Sequence, residues 1–213
     1  MNSVIIHLAD LHYRLGWVED HGIVLDMFFK DLSQQINQVD GTNLYLAFSG
    51  DFVQSGKDSE LFNDLFLHFN DKLNSLNIPK SRRICVPGNH DVSIENISEK
   101  IVEHEGVVSQ GLNEHQFNDY ILRQPNVLTD KFSQYKTFEN RFAEFGVLGT
   151  TVTGAGWEIA DDIGVYCLNT ALCSSGGVEG RDGKKILDKR RLAIDTRSLN
   201  LWNLNSKARR KIP

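Results

Sequence analysis

The chain has 213 residues, 40% hydrophobic and 24% charged, which suits one α/β domain with an ordinary core and excludes a disordered segment. Its longest apolar runs are far short of a membrane span, so no membrane is expected among its partners. The net charge of −5 is uneven: residues 184–213 hold ten Lys/Arg against Asp188 and Asp195, a basic tail that could be a solvated helix face or a nucleic-acid contact.

Residues 4–9 form an apolar run that reads as a central strand, with His7 as a satisfied core histidine. Asp10-Leu11-His12 follows, and extended geometry would send Asp10 and His12 to the same side. Arg14 sits at the tip of the next loop. An apolar stripe over residues 18–39 predicts a helix, with Gly22 pointing to a later start and His21 at the surface. Residues 44–48 predict a second strand, closed by Gly50-Asp51, and the glycine lets the chain turn and leaves Asp51 at the strand's carboxyl end. Ser59 is placed to cap a helix carrying Phe62, Leu65, Phe66, Phe69, Leu73 and Leu76, with His68 off that stripe. Residues 83–86 predict a third strand, broken by Pro87-Gly88 and followed by Asn89-His90-Asp91. The three polar motifs begin at positions 10, 51 and 88, a strand–loop–helix repeat of about forty residues that implies a mainly parallel sheet.

After Asp91 the pattern changes. Residues 93–145 read as a helical insertion within a single domain spanning 1–213, broken at Gly106, Gly111 and Pro125 and placed to cap the site. His104 and His115 within it read as structural or exposed. Residues 150–171 return to strands, with Asp161-Asp162 at a hairpin turn. A helix is expected within residues 186–202. The three cysteines, Cys85, Cys167 and Cys173, have no metal spacing and read as buried thiols of a reducing cytoplasm. A removed leader is not expected, since Asp10 and His12 would leave with it.

Asp10, His12, Asp51 and Asn89 are oxygen and nitrogen donors without a thiolate, a set suited to Mn, Fe or Zn. A strand-end carboxylate can bridge two cations, and Asp51 is the candidate; cations roughly 3.5–4 Å apart could bind a phosphate and activate a shared water. His90 could protonate the leaving oxygen.

The series Asp10-x-His12, Gly50-Asp51 and Gly88-Asn89-His90-Asp91, each after a strand, resembles the calcineurin-like metallophosphoesterases. The resemblance implies a β-sandwich of two sheets flanked by helices. It also implies a dinuclear-metal hydrolase in which Asp10 and His12 bind one divalent ion, Asp51 bridges, Asn89 binds the second, and His90 contacts the phosphate. Where the family's protein phosphatases carry Asp-Arg-Gly, this chain has Gln54-Ser55-Gly56, which brings it nearer to the phosphodiesterase and nuclease branches. The carboxylate that would orient His90 is then replaced by Asp91 or a water. The family's late histidines have no counterpart after His115, so the chain reads as truncated at its C-terminus, with a partner chain as one source of the rest.

Three functions follow. The first is a phosphodiesterase acting on nucleotides or nucleic acid, with Mn the favoured ion. The second is a catalytically impaired phosphoesterase or binding module, and the third a nuclease subunit using the basic tail.

Overall fold

The computed structural model describes residues 3–15, 20–38, 43–93, 95, 113–123, 125–144, 150–160, 163–175, 194–205 and 210–212. Strands β1 (Ser3–Leu8), β2 (Asn43–Phe48) and β3 (Arg83–Cys85) form a parallel sheet in that order. Side chains alternate on β2. Leu44, Leu46 and Phe48 face helices α1 (Asp20–Ile36) and α2 (Ser59–Ser75), and Tyr45 and Ala47 face the other way.

The other face meets a second sheet of β4 (Thr150–Thr151), β5 (Gly154–Ala160), β6 (Ile163–Leu168) and β7 (Arg210–Ile212). Strands β4 to β6 are antiparallel neighbours, and β7 pairs parallel to β6. Ile84, Ala155, Trp157, Ile159 and Val165 fill the space between the sheets, and the Tyr45 hydroxyl donates to the Ile159 carbonyl. This is the expected sandwich of two sheets flanked by helices.

The 93–145 segment is helical where described: α3 (Glu114–Arg123), α4 (Pro125–Lys131) and α5 (Ser133–Phe142). Helix α5 packs on α2 and contributes Tyr135, Phe138 and Phe142 to the main core, while Phe117, Leu128 and Phe132 pack against Val92 and Ala171 to Cys173. Pro125 opens a helix instead of only ending one, since a first-turn residue needs no N–H partner. His115 is exposed beside Asp119, and His104 lies outside the described residues.

Several sequence expectations are corrected. Strand β1 lies at a sheet edge among the described strands, so His7 is exposed and meets the Ser49 hydroxyl at 2.7 Å. An unbroken apolar run does not separate an edge from a centre. Helix α1 runs through Gly22 from Asp20, and Ile23 on its stripe is exposed. The cap of α2 is Asp58, whose carboxylate accepts from the Glu60 N–H at 3.0 Å, one residue before Ser59. The hairpin of β5 and β6 forms as expected, while its Asp161-Asp162 turn lies outside the described residues. The C-terminal helix α6 (Thr196–Asn205) starts late in the expected window, and residues 176–193 lie outside the described set.

Candidate metal centre

The three motif loops continue from the carboxyl ends of β1, β2 and β3. The first two stay laced together past the sheet: Asp10 N donates to Gly50 O (3.1 Å), His12 N to Asp51 O (2.9 Å), Tyr13 N to Phe52 O (3.0 Å) and Gln54 N to Tyr13 O (3.0 Å). Phe52 anchors the second loop. It is fully buried, stacks on Phe48 at 3.9 Å and meets Phe138 edge-on at 5.1 Å. Burying such a ring favours this placement by roughly 1.5–3 kcal/mol.

The backbone departs from the extended geometry expected of Asp10-x-His12. Asp10, His12 and Asp51 have φ of 56°, 48° and 55°, a left-handed conformation that non-glycine residues seldom adopt. A turn at each residue, instead of period-two alternation, sets where these side chains go.

The third loop is fixed by Asp91. Its buried carboxylate accepts from the Gly88 N–H (2.8 Å), the Val53 N–H (3.2 Å) and the Phe52 N–H (3.3 Å), which ties the second loop to the third. Burial pushes this carboxyl up to about 7 against those three donors, which favour the anion, and the nearby Asp51 charge adds to the rise. Gly56 N donates to the His90 carbonyl at 2.6 Å. Gly88 allows the close approach: a Cβ there would lie 2.2 Å from Asp51 Oδ1.

These constraints bring His12, Asp51 and His90 together, with one ligand atom of each within 4.8 Å of the others. Asp51 Oδ1 accepts from the His90 main-chain N–H at 2.9 Å, and its Oδ2 lies 3.8 Å from His12 Nε2. The two imidazole rings meet edge-to-face at 4.5 Å. Asp10 and Asn89 are exposed at the same loops, and their side chains make no hydrogen bond among the described residues.

His90 is oriented by a group the sequence does not mark. Its Nδ1 lies 3.0 Å from the Gln54 carbonyl oxygen, and a carbonyl only accepts, so Nδ1 donates. Asp91, expected as a stand-in for that role, has its oxygens on the backbone N–H groups instead. A main-chain carbonyl carries no side-chain signature, so only the fold could reveal it.

A family model for calcineurin-like phosphoesterases matches residues 3–212. The chain belongs to the calcineurin-like phosphoesterase family. Among curated proteins none matches it. Family membership makes this a hydrolase of phosphate esters of a kind that binds divalent metals. The residues of this calcineurin-like phosphoesterase fit such ions. The donors are carboxylate, imidazole and amide oxygen, and His12 Nδ1 is buried with no hydrogen-bond partner among the described residues. No helix among the described residues of the phosphoesterase is long and apolar enough to cross a membrane.

Proposed function

We propose that the chain is a dinuclear-metal phosphodiesterase acting on nucleotides or nucleic acid. In this reading Asp10 and His12 hold one cation, Asp51 bridges, Asn89 holds the second and His90 protonates the leaving oxygen. The observation that carries it is the convergence of His12, Asp51 and His90 at the strand ends. Mixed oxygen and nitrogen donors without thiolate support Mn, Fe or Zn, with Mn favoured. Bound cations would supply Lewis-acid stabilisation of charge on the phosphate and an activated water. The Gln54 carbonyl holds the His90 ring, and with Nδ1 so engaged, Nε2 is the nitrogen left to deliver a proton. Gln54-Ser55-Gly56, in place of the phosphatase-type Asp-Arg-Gly, supports a diester over a phosphoprotein. Free cysteines at Cys85, Cys167 and Cys173 support a reducing, cytoplasmic setting.

The test is hydrolysis of a nitrophenyl phosphodiester with Mn, with bound metal measured alongside. Wild type should turn over. His90→Ala should lose turnover, by roughly 100-fold or more for a general acid, and keep its metal. The grouping of His90 with His12 and Asp51 favours a second reading, in which His90 is itself a ligand. Loss of metal in His90→Ala would select that reading. Bound metal without any turnover in wild type would favour an impaired phosphoesterase or binding module. For nucleic acid, salt-sensitive binding that disappears on removing residues 207–213 would support a nuclease subunit.

A further inference from the structure

The loop that carries His12 has a side chain rooted in the helical layer. Tyr13, the next residue, is buried in the main core, and its hydroxyl donates to Asp64 Oδ2 on α2 at 2.6 Å. Burial, with the Asp64 carboxylate adding to it, raises the phenol above its usual range, so the hydroxyl stays protonated and donates. Asp64 is half-buried, and one turn further along α2 His68 Nε2 lies 3.9 Å from its other oxygen. The Tyr13 and His68 rings lie 5.9 Å apart. Helix α2 is a firm base for this contact, since its residues Leu61, Phe62 and Leu65 are buried in the core that takes the Tyr13 ring.

The main chain of Tyr13 connects this anchor to the metal centre. Its N–H donates to Phe52 O and its carbonyl accepts from Gln54 N, both at 3.0 Å. On its other side His12 donates its N–H to Asp51 O at 2.9 Å, and His12 Nε2 lies 3.8 Å from Asp51 Oδ2. His12 holds φ of 48°, a conformation disfavoured outside glycine, so its neighbours must keep it there before a cation arrives. The ladder joins the first loop to the second. The phenol joins the first loop to α2.

We propose that Tyr13 is a positioning residue for the metal centre: its hydroxyl, bound to Asp64, holds the backbone of His12 in the left-handed conformation that presents the imidazole to the ion. The proposal rests on the reading of His12 as a metal ligand, and it gives neither Tyr13 nor Asp64 a contact with the metal. Without the anchor the metal-free loop can relax. Binding must then return His12 to the strained conformation, at the expense of affinity. The hydroxyl needs an acceptor on α2 and not a charge, so an asparagine at position 64 should serve.

The experiment is calorimetric titration of Mn into the metal-free chain, with chemical denaturation of each protein alongside. Tyr13→Phe keeps the ring in the core and should weaken Mn binding by roughly 3-fold or more, the fold-change of a lost hydrogen bond. Asp64→Leu removes the acceptor and should weaken it similarly, while Asp64→Asn should stay within about 2-fold of wild type. The asparagine variant keeps the test open if Asp64→Leu does not fold. Tyr13→Phe that is less stable yet binds Mn as wild type does makes the hydroxyl merely structural and overturns the proposal. So does Asp64→Asn that falls as far as Asp64→Leu. Wild type that binds no Mn overturns the reading on which the proposal rests.

Discussion

Asp10, His12 and Asp51 hold a left-handed backbone, and such positions cost of order 1–3 kcal/mol each outside glycine. They persist because the surrounding contacts over-determine them. The loop–loop ladder fixes one side, buried Phe52 and Val53 fix another, and Asp91 fixes a third. Two substitutions test this. In Gly88→Ala the new Cβ would fall 2.4 Å from the Asp51 main-chain nitrogen as well as on its carboxylate, so Asp51 must move. Metal content and turnover should both drop, while circular dichroism should show the fold retained; an unchanged site would mean that the two loops are not held at contact distance. Asp91→Ala strands the buried N–H groups of Phe52 and Val53 and the half-buried one of Gly88, at roughly 1–3 kcal/mol for each buried group if unrelieved, so chemical denaturation should show a loss of about 2 kcal/mol or more. A loss under 1 kcal/mol would mean that solvent replaces the carboxylate. At this scale the ligand candidates were legible from residue type and order. The carbonyl of Gln54 and the amide targets of Asp91 were not, because backbone groups are the same at every residue.

At the scale of elements, α6 is organised by its first turn. Asp195 Oδ1 accepts from the Arg197 N–H and Nε, both at 3.1 Å, and Oδ2 from the Ser198 hydroxyl at 2.9 Å. At the far end buried Trp202 packs on Tyr166 and on the bare backbone of Gly156, where a Cβ would lie 2.1 Å from the indole. Burial raises the Asp195 carboxyl, but the hydrogen bonds from Arg197 and Ser198, with the Arg197 charge, outweigh it and hold the group below its usual 3.8. With the folded value below the unfolded one, the cap's contribution is full above 3.8 and disappears as pH falls through the lowered folded value. Asp195→Ala should cost about 1 kcal/mol at neutral pH and progressively less under acid conditions; a difference independent of pH would remove the carboxylate from the account. The hydrophobic period located α2 well, because Leu61, Phe62, Leu65, Phe69 and Leu73 face one core. It misjudged β1 because Val4 and Ile5 carry the same apolar signal at an exposed edge as in a centre. It missed Asp58 because aspartate and serine cap alike.

At the scale of the whole molecule, one sheet presents its strand ends and the other supports it from behind. The parallel sheet directs three loops to one end, and its β3 residue Ile84 rests on Trp157 and Ala155 of the second sheet. Arg83 on the same strand is fully buried. It donates to Ile78 O (3.0 Å), Phe142 O (3.1 Å) and the Asn70 (3.1 Å) and Asn74 (2.7 Å) side-chain oxygens, so β3 is tied to α2 and α5. The third loop therefore leaves from a strand held on both faces. The parallel half of this architecture was legible from the forty-residue repeat, and the pairing of β7 with β6 was not, since three residues carry no period. A centre assembled from three loops predicts linkage between metal and fold: Mn at about 100 times its dissociation constant should add about 2.7 kcal/mol to the unfolding free energy. The most direct test of that centre is metal analysis of wild type and Asp51→Ala after Mn loading and desalting. Wild type should retain Mn and Asp51→Ala should retain almost none; equal retention in the two proteins would contradict the account.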